Sequence, residues 1–408
     1  MRDDARMAPL AIGGLLFVVM AGTTLPNALW GWYQARWNVP ATAVTAAFAT
    51  YAVAVVASLL TWGSLADRRG PWPSLRRGVL CSAAASALSL VEGLPALFAG
   101  RTLAGLSVGL VSSAAVGALA LAHRSGPDGA ARVSTFATMA GLAAGPLLAG
   151  AVVDVSPAAA RGAYLAHLLL LAPVVAWLAS PHGRPARMPV GDVRPRDTPR
   201  HSVAMPRTPA FRAACLLGFA SNAQLGLYAA LASTMLSAIH GEVSVLLSGL
   251  AGALLFAAAG APQLLGGSFA AGSAWSTAAS STGVVSCVTA LTLDSVPLLL
   301  AAIALGGLGA GLAFGRGLFA ATENAPVQER AAVSTTWFVA AYLGLAGPVL
   351  GAGALVDAVG LVAATAIVGT ATTFLVTAAQ TTLAPFRVNH RAARLSGRVH
   401  RKDNSWTS

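Results

Sequence analysis

Charged residues are scarce in this sequence. Only 10% of the 408 residues are Asp, Glu, Lys or Arg, whereas 56% are hydrophobic. Soluble domains carry about 25% charged residues. A soluble fold is therefore excluded, because apolar runs as long as those of this chain could not all lie inside one core.

Cysteine and enzyme motifs are also rare or missing. The three cysteines Cys81, Cys215 and Cys287 lie in apolar runs without metal-ligand spacing, and their odd number does not indicate a disulfide framework. No phosphate-binding G-x-x-x-x-G-K-[ST] loop occurs, and no Ser/His/Asp arrangement suggests an intramembrane enzyme. We therefore expect no cofactor, no metal site and no enzymatic activity.

Long apolar runs dominate instead. About 20 apolar residues in a helix cross the roughly 30 Å of hydrocarbon in a bilayer. The 43 glycines suit helices that approach closely in lipid. We predict an all-α membrane protein with twelve transmembrane helices at 9–31, 41–62, 78–94, 96–121, 131–153, 162–180, 211–238, 243–263, 272–293, 297–320, 331–355 and 359–384.

The basic residues predict the orientation. Of the 26 Lys and Arg residues, 23 lie in or beside the segments on the side of the two termini. Because basic loops stay in the cytoplasm, both termini are predicted to be cytoplasmic, in a multi-pass protein of the cell membrane. This requires an even number of spans; ten would also fit, and residues 264–296 are the weakest region. The net charge of +12 therefore comes mainly from cytoplasmic loops and termini, and no nucleic-acid binding is expected.

The two halves of the sequence resemble each other at an offset of about 200 residues. Val133-Ser-Thr precedes Gly145-Pro146 as Val333-Ser-Thr precedes Gly347-Pro348, and Gly105 and Gly109 correspond to Gly307 and Gly311. Chance similarity between Gly-rich helices is the alternative, and the shared order weighs against it. We predict two pseudo-symmetric six-helix bundles, 1–180 and 211–384, joined by a Pro- and Arg-rich cytoplasmic linker, 181–210, and followed by a basic tail, 385–408.

Three motifs carry a resemblance to a known family. They are Gly63-x-Leu-Ala-Asp67-Arg68-x-Gly70 between spans two and three, Arg101-x-x-x-Gly105-x-x-x-Gly109 in span four, and Gly141-x-x-x-Gly145-Pro146-x-x-x-Gly150 in span five. The chain resembles the major facilitator superfamily over essentially its whole length. The third motif is similar to one that this family associates with drug:proton antiporters, which export their substrates.

The resemblance implies that the loop motif is a conformational latch. Gly63 and Gly70 permit a tight turn, and the Asp67 carboxylate, beside Arg68, can face the N-terminal end of a neighbouring helix. An ordinary charged turn is the alternative. The sequence departs from the pattern after Gly70, where the expected basic pair is delayed to Arg76 and Arg77.

Arg101 is the most informative single residue. A charge inside a span costs at least about 2.5–3.5 kcal/mol and therefore usually faces a polar interior. Its repeat partner is Ile303, so the fold itself does not require a charge there. We predict coupling or binding of an anionic substrate group by Arg101, and snorkelling to the surface is the alternative. His167 is the second coupling candidate, with a structural hydrogen-bonded role as its alternative.

Further residues are assigned from the expected cavity between the halves. A polar stripe on spans one and seven is predicted to line it: Thr23, Thr24, Asn27, Trp30, Asn222, Gln224 and Tyr228. Each could instead form a helix-helix hydrogen bond. A second set is predicted to bend or pack helices: Gly141, Gly145, Pro146, Gly150, Gly347 and Pro348.

These observations predict a secondary transporter that works by alternating access. Proton-coupled export of small amphipathic molecules or drugs is the leading hypothesis, and uptake of a small metabolite by symport is the alternative. A non-transporting receptor or scaffold is the third possibility, although a scaffold needs no gating latch. The expected partners are a small-molecule substrate, protons and the lipid bilayer, and the chain is expected to act as a monomer.

Overall fold

The chain folds almost entirely into helices. The structure, a computed structural model, describes residues 4–62, 70–122, 126–153, 159–180, 208–241, 244–265, 273–323, 325 and 329–403. These residues form a 3-10 segment, Leu25–Leu29, and thirteen α-helices. The helices are α1 (Asp4–Thr24), α2 (Trp30–Trp37), α3 (Ala41–Trp62), α4 (Pro71–Leu88), α5 (Leu94–Ala122), α6 (Gly126–Val153), α7 (Ala159–Ala179), α8 (Pro209–His240), α9 (Val245–Leu265), α10 (Ser273–Thr292), α11 (Val296–Thr322), α12 (Arg330–Val359) and α13 (Leu361–Asp403).

A helix occupies each of the twelve predicted spans, and the first span comprises α1, the 3-10 segment and α2. In the part of the chain that the structure describes, ten of these are long and apolar enough to cross a membrane. The other two, α4 and α10, take the third place in each half. Helix α4 begins at Pro71 rather than at residue 78 and carries Arg76 and Arg77, whereas α10 is rich in Ser. Polar residues therefore lower the hydropathy of the same position in both halves.

The first span is interrupted at Pro26. Proline has no backbone N–H, and residues Leu25–Leu29 form a 3-10 turn around it. Helix α2 therefore begins at Trp30, directly after this turn. Near its start, the hydroxyl of Ser233 in α8 accepts a 3.0 Å hydrogen bond from the N–H of Gly31.

Corresponding helices of the two halves make corresponding contacts. Helix α5 packs against α3 and α4, and α6 against α1; in the second half α11 packs against α9 and α10, and α12 against α8. Glycines make the equivalent contacts close. A Cβ added at Gly105 would lie 2.6 Å from the Cβ of Ala54 in α3, and one at Gly307 would lie 2.5 Å from the carbonyl oxygen of Leu255 in α9.

Two long helix pairs join the halves, α3 with α12 and α6 with α9. We call the end of the molecule that holds Trp37, Ala41 and Val359 the distal side, and the opposite end, where α1 begins, the terminal side. These two helix pairs flank the boundary between the halves, and the candidate site lies beside this boundary.

Candidate functional site

Arg101 lies in the middle of the first half, close to this boundary. It is only 3% exposed, and its Nη1 donates a 2.6 Å hydrogen bond to the carbonyl oxygen of Thr23. The guanidinium carbon lies 4.5 Å from the ring centroid of Tyr51, 5.6 Å from that of Trp30 and 5.8 Å from that of Phe48. Helices α2, α3 and α5 thus enclose the cation in an aromatic cage. We define the Arg101 cage as Arg101 with Trp30, Phe48 and Tyr51.

The charge in this cage has no counter-ion. Among the described residues no carboxylate lies within salt-bridge distance of Arg101, and its Nε has no hydrogen-bond partner. Burying an ion costs several kcal/mol even after relaxation. A cation–π contact stabilises by about 0.5–2 kcal/mol when the cation lies within roughly 6 Å of the ring centroid. Of the three rings, only that of Tyr51 lies well inside this limit. The protein therefore offsets part of the cost and leaves a positive charge with an unused donor.

Tyrosines extend the cage on both sides. The hydroxyls of Tyr33 and Tyr164 form a buried hydrogen bond of 2.8 Å. The hydroxyl of Tyr51 interacts with those of Thr23 and of Tyr342, which lies on α12 in the second half. The cage therefore touches the opposite half directly through Tyr51, and a movement of α12 relative to α3 would reach Arg101 through this ring.

Trp30 and Asn27 keep buried polar atoms without partners. Both residues lie at the break of the first span. Within the described structure Trp30 Nε1 donates no hydrogen bond and Asn27 Oδ1 accepts none. Buried polar atoms are satisfied in about 90% or more of cases. The prediction that Asn27 and Trp30 face a binding cavity is consistent with these unsatisfied atoms.

Thr24 has a different role from the predicted one. Pro146 lacks the N–H that would bond to the carbonyl of Leu142 in α6. The hydroxyl of Thr24 donates to this carbonyl oxygen at 2.9 Å. Thr24 therefore completes the hydrogen bonding of the α6 interruption, because a lone buried carbonyl is costly in a membrane. Thr23 contributes its carbonyl to Arg101, while its hydroxyl bonds to Met20 of its own helix.

The predicted residues of α8 are not brought to Arg101. Gln224 accepts a 2.8 Å hydrogen bond from Ser280 of α10, inside the second half. The Tyr228 ring packs on Gly306 of α11, and Asn222 Nδ2 donates to the carbonyl of Gly218 on its own helix. Helix-helix packing explains Gln224 and Tyr228 better than a cavity does, because their side chains point to helices of the same half.

His167 is enclosed in the first half. One ring nitrogen, Nδ1, pairs with the hydroxyl of Ser86 at 2.7 Å, and Nε2 pairs with the carbonyl oxygen of Val18 at 2.9 Å. The ring covers Gly22, where no Cβ would fit. Both nitrogens are thus engaged in linking α1, α4 and α7. A coupling role for His167 stays a prediction without support from this geometry.

The span-five motif contacts two different helices. A Cβ at Gly141 would lie 2.9 Å from the Cβ of Met20, and one at Gly145 would overlap the carbonyl of Ala21, both in α1. On another face of α6, a Cβ at Gly150 would come within 2.9 Å of Leu246 in α9. The motif therefore packs α6 against its own half and against the other half at once.

The second-half copy of this motif does not repeat the close packing. A Cβ added at Gly347 would meet no atom within 4 Å, whereas one at Gly344 would overlap the carbonyl of Phe219 in α8. The predicted packing role of Gly347 thus belongs to Gly344. Pro348 lies inside α12 as Pro146 lies inside α6.

Most of the predicted latch lies outside the described residues. This applies to Gly63, Asp67 and Arg68. Gly70 is described, and its φ of 76° is a left-handed conformation that favours glycine. It immediately precedes α4, which starts with Pro71 at its first position. The latch itself stays a prediction.

A polar contact that was not predicted from the sequence joins the halves on the distal side. The Asp357 carboxylate, at the end of α12, accepts 2.9 Å hydrogen bonds from the N–H groups of Ala41 and Thr42 and another from the Thr42 hydroxyl. An anion at the N-terminus of α3 is favoured by the helix dipole. Gln34 adds a second contact, since its Oε1 accepts a 2.5 Å bond from the Thr234 hydroxyl of α8. These bonds tie the two halves together on the distal side.

A buried arginine of the second half was also missed. Arg316 is one of the 23 basic residues that the sequence assigns to the side of the termini, and the structure places it inside α11, only 7% exposed. Its Nη1 donates a 2.7 Å hydrogen bond to Gln380 Oε1 of α13. Unlike Arg101, it is therefore tied to a neighbouring helix by a side chain. Its position within the predicted span 297–320 was the available signal.

The comparisons with known proteins bear on this architecture. No protein-family model and no curated protein matches the sequence. Solved structures do match. A bacterial homologue of the human lysosomal transporter Spinster, inward-facing and occupied, is similar over 93% of this chain and 96% of its own, with 15% identity and a TM-score of 0.72. The fold is that of a membrane transporter.

Two other transporters have the same fold. A mutant of the nucleoside transporter NupG is similar over 92% of this chain and 99% of its own, with 13% identity and a TM-score of 0.66. A POT family transporter in complex with 5-aminolevulinic acid is similar over 90% of this chain and 94% of its own, with 12% identity and a TM-score of 0.69. The all-α transporter fold expected from the resemblance to the major facilitator superfamily is therefore confirmed.

Proposed function

We propose that the protein is a secondary active transporter that carries a small molecule by alternating access. In this proposal twelve helices span the membrane in two six-helix bundles, 1–180 and 211–384, and the terminal side faces the cytoplasm. The transporter fold and the equivalent helix contacts of the two halves support it. Transporters built from such parallel repeats bind their substrate between the repeats and rock one against the other.

The observation that carries the proposal is the position of the Arg101 cage. An unneutralised buried cation lies beside the boundary between the halves and contacts the second half through Tyr51 and Tyr342. On the distal side the halves also meet in polar contacts, such as that of Asp357 with α3, and these contacts must break when this side opens. The surroundings of a charge at this position change when the opening between the halves moves from one side of the membrane to the other.

The proposed direction is export in exchange for protons. It rests on the span-five motif, which the resemblance associates with drug:proton antiporters. Here Gly145 packs against α1 next to Thr24, and Gly150 packs against α9 of the other half. A tilt of α1 around the substrate would therefore move the contact between α6 and α9.

Inverted membrane vesicles that contain the protein test this function. Respiration acidifies the vesicle interior and quenches acridine orange; a substrate of a proton-exchanging exporter then enters as protons leave, and the fluorescence recovers. We expect recovery with at least one compound from a panel of dyes, antibiotics and amphipathic acids, and none in vesicles without the protein. Proton-linked uptake into right-side-out vesicles would establish symport instead, and no flux in either orientation would contradict transport.

A further inference from the structure

We infer that Arg101 binds a carboxylate of the transported molecule, so that the substrate is an amphipathic carboxylic acid in its anionic form. This inference rests on the proposed transport function and names its substrate class. It depends on three observations: the free donors of the cage, the apolar residue at the equivalent place of the second half, and the rings that surround the guanidinium.

The guanidinium keeps donors for a ligand. Within the part of the chain that the structure describes, Arg101 donates one hydrogen bond, from Nη1 to Thr23, and its Nε is buried without an acceptor. A guanidinium presents its N–H groups as a planar fork that matches both oxygens of a carboxylate. A second buried donor, Trp30 Nε1, also lacks an acceptor, and its ring lies 5.6 Å from the guanidinium carbon. Two unsatisfied donors in one cluster indicate a ligand that supplies acceptors.

The fold does not need a cation at this position. The repeat partner of Arg101 is Ile303 of α11, which is fully buried among apolar residues. A helix at the same place in the second half is therefore stable with an aliphatic side chain. The buried charge of Arg101 is costly by comparison, and binding of an anion explains why it is present.

The surroundings of Arg101 indicate the rest of the ligand. Trp30, Phe48 and Tyr51 present aromatic surface around the charge. In the described part of the cage no acidic side chain is present to attract an ammonium group. Because the Tyr51 ring covers the guanidinium at 4.5 Å and also contacts Tyr342 of the second half, the anion would take the place of this ring as the halves move. A carboxylate carried on an apolar body fits this setting.

Three probes with the same apolar body test the head-group preference: phenylbutanoate, phenylbutanamide and phenylbutylamine. Their binding to the purified full-length protein in detergent is measured by isothermal titration calorimetry. A hydrogen-bonded charge pair should make the carboxylate bind about tenfold to a hundredfold more tightly than the amide. The amine should bind more weakly than either.

Variants assign this preference to the cage. Arg101→Gln should bind the carboxylate and the amide equally, and Arg101→Lys should keep a weaker preference, because it retains the charge without the planar fork. Trp30→Phe should lower carboxylate affinity and leave amine affinity unchanged. Arg161→Gln is the matched control; this arginine lies in the same half, its side chain is 56% exposed and it pairs with Glu92 at 3.2 Å, so the preference should persist.

The results separate this inference from the proposed function. Equal binding of the three probes by the unmodified protein, binding of none of them, or a preference that survives in both Arg101 variants would overturn the carboxylate site. If the preference depends on Arg101 but the vesicle assay shows no flux, the site stands and the transport function fails. A purely structural Arg101 predicts a lower unfolding temperature for Arg101→Gln with unchanged probe selectivity.

Discussion

The hydroxyl of Thr24 donates a 2.9 Å hydrogen bond to the carbonyl oxygen of Leu142, the group that Pro146 deprives of its helical donor. The bond joins α1 to α6 at the place where Gly145 lets the two backbones approach. The contacts of Thr24 with carbonyls of its own helix are longer, at 3.4 Å. A polar residue of the first span is thus explained by a proline in the fifth.

Thr24→Val should destabilise the protein by about 1–3 kcal/mol, because the buried carbonyl of Leu142 would lose its donor. Thr24→Ser keeps the hydroxyl and should restore most of the loss. The measurement is reversible unfolding in mixed micelles. Thr61→Val is the control, since the exposed Thr61 hydroxyl bonds only to Ala57 of its own helix. Equal stability of the Thr24→Val and Thr61→Val proteins would contradict this role.

The two Gly-Pro pairs allow a matched comparison. A methyl group at Gly145 would overlap the backbone of Ala21, whereas one at Gly347 would meet open space. Gly145→Ala should therefore cost about 1–3 kcal/mol by forcing α1 and α6 apart. Gly347→Ala should be neutral or stabilising by up to about 1 kcal/mol, because Ala favours a helix over Gly. Thermal unfolding of both variants checks the difference, and equal losses would show that the motif packs alike in both halves.

The distal contact of Asp357 predicts a change in the balance between open and closed states. Asp357→Asn keeps an acceptor but removes the charge at the N-terminus of α3, so the distal side should open more often. Alkylation of a cysteine introduced at Thr234, in a variant without the three native cysteines, reports this opening. We expect alkylation faster by about fivefold, corresponding to roughly 1 kcal/mol.

Asp294→Asn serves as the control for this measurement. Asp294 is also acidic and exposed, and it lies in the turn before α11 with a φ of 49°, which Asn tolerates. Alkylation at position 234 should be unchanged by Asp294→Asn. An equal effect of the two substitutions would show that net charge, not the contact of Asp357 with α3, controls the distal side.

The positions of the helices could be predicted from the sequence because a span must be apolar along its whole length. The direction of individual side chains could not. Since these helices are apolar on nearly every face, no amphipathic pattern shows that Gln224 points to Ser280 rather than into the cavity. The cage around Arg101 was not predicted either, because Tyr51 and Phe48 belong to another span. Only the packing of α3 on α5 brings them to the guanidinium.

Contacts between segments far apart in the sequence could likewise not be predicted. Asp357 lies just beyond the predicted span 331–355, and its partner Ala41 lies 316 residues earlier in the chain. The signal for Arg316 was present, because this residue falls within a predicted span, but its bond to Gln380 required the packing of α11 on α13. Sequence similarity between the halves matched Gly105 with Gly307, and in the structure both glycines lie at close helix contacts.

Alternating access requires the distal side to open, and a reversible cross-link tests this most directly. A Cβ placed at Gly31 would lie 2.7 Å from the Oγ of Ser233, which suits a disulfide between Gly31→Cys and Ser233→Cys in the cysteine-free background. Alternating access predicts that oxidation abolishes flux in the vesicle assay and that reduction restores it, while each single variant transports under both conditions. Undiminished flux through the fully cross-linked protein would show that transport does not require the distal side to open.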